Sequence, residues 1–157
     1  MTKVYMAGPV SGLHLNELLT HRSKVAKLLR DVGLTGVDPL RGLTYGDIVG
    51  PIPAAGCSSS EASAKAALTS PKGILYSSFF DVQHCDAVLV DYTINPGYSL
   101  GTAMEIAWAF QGNKPIVMVA DSGVKFADHA MITEACQYRV NTLEEAAALL
   151  RVILEGR

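Results

Sequence analysis

Short apolar runs alternate along this chain with helix-length stretches in which apolar residues recur every three or four positions, and that alternation narrows the possible folds more than any other feature. Residues 4–7, 35–37, 87–90, 115–120 and 138–140 read as strands, the last of them weakly. The runs at 87–90 and 115–120 show no polar alternation, which marks strands buried on both faces. Between the strands, residues 13–32 carry Leu15, Leu18, Val25, Leu29 and Val32 at helical spacing, and Gly33 stops that helix. Further helices are predicted over 74–84 and 99–111. A last one begins at Thr142, which with Glu145 has the spacing of a capping box. Strands alternating with helices predict an α/β fold: a doubly wound parallel sheet of about five strands in three α/β/α layers.

The 157 residues fit a single domain, 1–157, with one irregular stretch at about 41–72. That stretch is rich in Gly, Pro and Ser, with a short helix expected near 61–68. Its length points to a lid or binding loop, and a plain insertion is the alternative. With 49% hydrophobic and 18% charged residues the chain can bury a full core. A net charge of −2 carries no basic surplus for a nucleic-acid polymer or an anionic membrane. No apolar run is long enough to span a bilayer, and the first residues lack the apolar core of a signal peptide. Cys57, Cys85 and Cys136 are odd in number and widely spaced, which predicts reduced, mostly buried thiols; a cytoplasmic location is therefore expected. With no CxxC or HExxH pattern, no metal is expected.

In such folds ligands bind beyond the C-terminal ends of the strands, so chemistry is expected at 8–12, 38–39, 91–101 and 121–131. The strongest anomaly is Glu105, the one charge between Leu100 and Phe110. A helix apolar on nearly every face is buried, and glutamate is seldom buried without a reason. Two ordinary explanations stand beside function: pairing with a distant Arg or Lys, or a place on one exposed strip. Ahead of Glu105, Ser99 and Gly101 sit at the helix N-terminus, where free N–H groups favour an anion or a sugar oxygen; an ordinary Ser cap is the alternative. In the first loop, Gly8-Pro9-Val10-Ser11-Gly12, two glycines let the backbone approach a ligand. Tyr5, on the strand just before, is either core or catalytic.

Taken together, Tyr5-Met6-Ala7-Gly8-Pro9, Val37-Asp38-Pro39-Leu40, the 81–91 segment, Ser99-Leu-Gly-Thr-Ala-Met-Glu105-Ile and Asp128-His129-Ala130-Met131-Ile132 resemble the nucleoside 2-deoxyribosyltransferase family. A related pattern, Gly-Gly-x-Gly-Thr-x-x-Glu, occurs in cytokinin-activating phosphoribohydrolases. The resemblance implies a flavodoxin-like fold, no cofactor, and a homo-oligomer with shared active sites acting on small nucleosides, nucleobases or nucleotides. It implies that Glu105 attacks the anomeric carbon of a deoxynucleoside, that Tyr5 orients Glu105, and that Asp38 and Asp91 lie near substrate. It also implies that His129 and Met131 are contributed across a subunit interface.

The sequence departs from the family pattern twice. Many transferases carry Asp six residues before the nucleophile to hold the sugar 5′-hydroxyl; here it is Ser99, as in deoxynucleoside 5′-monophosphate N-glycosidases, where it helps hold a phosphate. The Asp that contacts and helps protonate the base is replaced by Ser78. Asp81, one turn on, either substitutes for it or caps or pairs locally, and Asp91 is another candidate acid. Three readings follow: a deoxyribosyltransferase, an N-glycohydrolase of nucleoside 5′-monophosphates, and a non-catalytic nucleotide-binding sensor.

Overall fold

A computed structural model describes residues 1–42, 67 and 70–155. The expected lid, its short helix and Cys57 thus lie outside the described residues, apart from the two ends of the stretch. Five strands form one sheet: β1 (Lys3–Ala7), β2 (Thr35–Val37), β3 (Ala87–Asp91), β4 (Ile116–Val119) and β5 (Tyr138–Val140). All neighbours are parallel and the order is β2-β1-β3-β4-β5. This is the flavodoxin-like order, in which the winding reverses between β1 and β3 and opens a crevice above their C-terminal ends.

The side-chain period of two splits the core into two layers. Val4, Met6, Leu89, Val117 and Val119 point to one face, under α1 (Leu15–Asp31) and the C-terminal helix α5 (Leu143–Leu154). Tyr5, Val88, Val90 and Met118 point to the other, under α2 (Pro71–His84), α3 (Leu100–Gln111) and α4 (Ala130–Ala135). Strands buried on both faces explain the unbroken apolar runs of β3 and β4. At the edge, β5 is largely exposed, hence its weak signal.

Local chemistry sets the helix ends. The Thr142–Glu145 capping box forms as its spacing predicts. α2 starts three residues earlier than the apolar spacing suggests, because Ser70 accepts a hydrogen bond from the Gly73 N–H at 3.0 Å and Pro71 fits the first turn. Pro39–Gly42 forms a 3-10 turn. The six-residue α4 falls within a region read as loop at its N-terminal end; it is too short to show a period.

Gly8 closes the end of β1. Its φ is +152°, and a Cβ there would lie 2.5 Å from the Asp91 carbonyl oxygen, so only glycine lets β1 approach β3 this closely. Cys85 and Cys136 are free and buried, and burial pushes their thiols up to about 11 and about 12. No described helix is long and apolar enough to cross a membrane.

Candidate active site

Two inward-facing side chains on neighbouring elements meet beneath the crevice. β1 turns Tyr5 toward α3, and α3 turns Thr102, Glu105, Ile106 and Ala109 toward the sheet. The Tyr5 hydroxyl donates to Glu105 Oε1 at 2.6 Å, joining residues 100 positions apart. Glu105 is 9% exposed, so it does not occupy an exposed strip. Among the described residues no Lys or Arg lies within ion-pair distance of it.

Burial lifts the Glu105 carboxyl to about 7, against the opposing pull of the Tyr5 hydrogen bond and of the Arg22 charge. Tyr5 is driven far above its ordinary value, first by burial, then by the charge of Glu105 and their shared hydrogen bond; Ser78 and Arg22 act the other way. The phenol therefore remains a donor across the physiological range. The result is a carboxyl held by one oxygen in a buried site, which when ionised can serve as a nucleophile or a base.

The neighbouring acids are engaged. Buried Asp81 and Ser78 lie one turn apart on α2. Both Asp81 oxygens face the Arg41 guanidinium, with Arg41 Nη2 at 2.5 Å from Oδ1. That hydrogen bond raises Arg41 above its usual value. The partner of Asp81 is thus not local but lies 40 positions away. Asp38 shapes the turn that carries Arg41: its Oδ1 accepts from the Leu40 N–H at 2.9 Å, and its carbonyl accepts from Arg41 Nη1 at 3.2 Å. Asp91 accepts from the Thr93 N–H at 2.8 Å and the Thr93 hydroxyl at 2.7 Å, and lies 2.6 Å from His21 Nε2. Burial pushes Asp91 up, but these partners together hold it below the usual carboxylate range. A carboxyl so held is an acceptor in this geometry.

Above the pair, two loops are tied together by Asn95 Nδ2 donating to the Ser11 carbonyl at 3.1 Å. On the first, Pro9 is buried and Val10 packs toward Leu15, Leu18 and Leu40, so these two residues anchor the loop. On the second, the Ser99 hydroxyl caps α3, accepting from the Thr102 N–H at 3.2 Å. Next to it, Gly101 is exposed, and an added Cβ would meet only Ser99 Oγ at 3.9 Å. Among the described residues this helix N-terminus is therefore accessible to a ligand at Gly101.

His129 and Met131 lie elsewhere. His129 Nδ1 accepts from the Met131 N–H at 3.3 Å, and Met131 is 76% exposed. With Tyr92, Tyr98, Ile106 and Phe110 they line an apolar cavity of about 1270 Å³ whose wall includes neither Glu105 nor Tyr5. Among the described residues no group of three or more His, Cys, Asp or Glu is arranged to hold a metal.

Reasoning from sequence missed Arg22. It is 5% exposed, and its guanidinium donates to the Met6 carbonyl and, at 3.4 Å, to the Gly8 carbonyl. A signal was present: Arg22 interrupts the α1 stripe of Leu15, Leu18, Val25 and Leu29 at a position that the stripe assigns to the core.

Comparison with known proteins bears on this geometry. The family model described as nucleoside 2-deoxyribosyltransferase matches residues 4–148. A comparison with curated proteins finds no significant match. Among solved structures, a conserved protein from Enterococcus faecalis V583 superposes with a TM-score of 0.67 at 16% identity, covering 98% of this chain and 99% of that one. A 2-deoxyribosyltransferase from Bacillus psychrosaccharolyticus gives 0.60 at 18% identity, covering 93% and 90%. A CMP N-glycosidase from Clostridium botulinum gives 0.55 at 15% identity, covering 98% and 100%. At these identities the superpositions speak to the fold.

Proposed function

The chain belongs to the nucleoside 2-deoxyribosyltransferase family, and we propose that it exchanges the base of a 2′-deoxynucleoside through a covalent sugar ester on Glu105. The observation that carries this reading is the buried Tyr5–Glu105 pair. Tyr5 holds Oε1, which leaves Oε2 to attack. Oε2 forms a bond to C1′ as the C1′–N bond breaks, and the base departs with that electron pair and takes up a proton. A nitrogen of a second base then attacks C1′ as the C1′–Oε2 bond breaks, which releases Glu105 as a carboxylate, and that nitrogen gives up its proton, balancing the one the first base took up. Two inversions retain the β-configuration, as in retaining glycosidases. The test is chromatographic: a deoxynucleoside is mixed with a different free base. A new nucleoside supports the reading, and its absence under conditions that cleave the starting nucleoside rejects transfer.

The nucleophile must be ionised, and its carboxyl sits at about 7. Below that pH the neutral acid predominates, so kcat/KM falls about tenfold per pH unit. The expected profile has an acid limb centred near neutrality. A limb centred in the ordinary glutamate range would contradict the assignment.

Ser99 favours a second reading, in which water accepts the sugar of a nucleoside 5′-monophosphate. A serine hydroxyl at an open helix N-terminus suits a phosphate, whereas an aspartate would repel it. Ser99→Asp is expected to weaken use of monophosphates by about tenfold more than use of free nucleosides. Equal losses, measured as kcat/KM on both substrates, would remove the phosphate role.

A further inference from the structure

Arg22 presents a physical puzzle. A guanidinium taken out of water costs several kcal/mol unless an opposite charge and hydrogen bonds compensate it. This one is buried, and among the described residues no carboxylate lies within ion-pair distance of it. Its hydrogen-bond partners are two main-chain carbonyls, Met6 and Gly8. Both belong to the C-terminal end of β1 and the turn after it, one residue either side of Ala7 and next to the strand position of Tyr5.

The approach is from behind. α1 covers the sheet face of Val4 and Met6, whereas Tyr5 and α3 occupy the other. We propose that Arg22 is a positioning residue for the nucleophile: reaching the end of β1 from the face opposite α3, its guanidinium fixes the Met6 and Gly8 carbonyls and presents its positive charge to the Glu105 carboxylate. The inference rests on Glu105 being the nucleophile.

Among the described residues, the surroundings of Glu105 leave Arg22 without competition. β1 contributes Tyr5, and Tyr92 directly follows β3; burial keeps both phenols neutral. β4 offers no titratable side chain. α2 contributes Asp81, matched by Arg41, and Cys85, whose thiol is pushed up by burial. On the α4 side lies Cys136, likewise pushed up. Among the described residues Arg22 is the cation whose charge lowers Glu105, and it lowers Tyr5 in the same way. Its charge favours the ionised form of Glu105 before attack and the carboxylate released in the second half, whereas ester formation in the first half gives that stabilisation up.

The test uses the full-length chain with 13C-labelled glutamate carboxyls, titrated by NMR, with the Glu105 signal assigned by its loss in Glu105→Gln. Arg22→Gln keeps a donor for the carbonyls and removes the charge; Arg22→Lys keeps a charge. In Arg22→Gln the Glu105 midpoint is expected to rise by about one pH unit, a roughly tenfold gain in proton affinity. The acid limb of kcat/KM is expected to move with it. Arg22→Lys is expected to stay near the wild-type midpoint, a difference that a purely structural role would not produce. An unmoved midpoint in Arg22→Gln, or one raised equally in Arg22→Lys, overturns the role of Arg22 alone. Turnover that survives Glu105→Gln overturns the nucleophile and the positioning role with it.

Discussion

Glu105→Gln is expected to lower turnover by at least about 10³-fold, the scale on which loss of a nucleophile is felt, with no fall in melting temperature. Glutamine has the size of glutamate, and its amide oxygen can take the place of Oε1 as the acceptor for Tyr5. Burial already disfavours the charged form at this site, since the carboxyl is lifted to about 7, so a neutral side chain fits it without strain. What glutamine lacks is an anionic oxygen able to bond to C1′ and leave again. Steady-state rates with circular dichroism melting separate the two effects. A variant that loses rate and stability together would point to a structural carboxylate. One that still binds nucleotide, in a chain whose wild type shows no turnover, would favour a sensor.

Tyr5→Phe is the second large effect. The phenol makes the one hydrogen bond that Glu105 accepts within the described residues. A hydrogen bond to a charged group contributes about 1.5–3 kcal/mol, so kcat/KM near neutrality is expected to fall by about 10- to 100-fold. The sign of the pH effect follows from the geometry. Tyr5 lowers the Glu105 carboxyl, so its removal raises it further, and the acid limb shifts to higher pH. The loss should shrink as pH rises and more Glu105 ionises. A loss of equal size at every pH, read from the kcat/KM profile, would show that Tyr5 only packs.

Residues whose signal is local are legible from the order of amino acids alone. β3 and β4 appear as unbroken apolar runs because both their faces are covered, and Thr142 with Glu145 marks a helix start by spacing alone. Glu105 stands out because one charge in an apolar helix violates the pattern around it. The partners of these residues are less legible, since they come from distant parts of the chain. Tyr5 meets Glu105 across 100 positions, Arg41 meets Asp81 across 40, and His21 meets Asp91 across 70. Asp81 is left open from sequence between acid, cap and local pair, and Asp91 is one candidate acid, because a sequence shows a carboxyl group without showing what holds it. Arg22 escapes notice although it breaks a stripe as Glu105 does, because arginine is so often on a helix surface that one among apolar neighbours draws little attention. The placement of α4 depends on a His129 cap, an uncommon one, on a helix too short to show a period.

The central claim is that Glu105 carries the sugar between two bases. It is tested most directly by mixing the enzyme with a deoxynucleoside, quenching in acid within the first turnovers, digesting with pepsin and weighing the peptides. The account predicts that the peptide containing Glu105 is heavier by one deoxyribosyl group, and that the adduct disappears when a second base is added before the quench. Turnover with no adduct on that peptide, or an adduct on another residue, would contradict it.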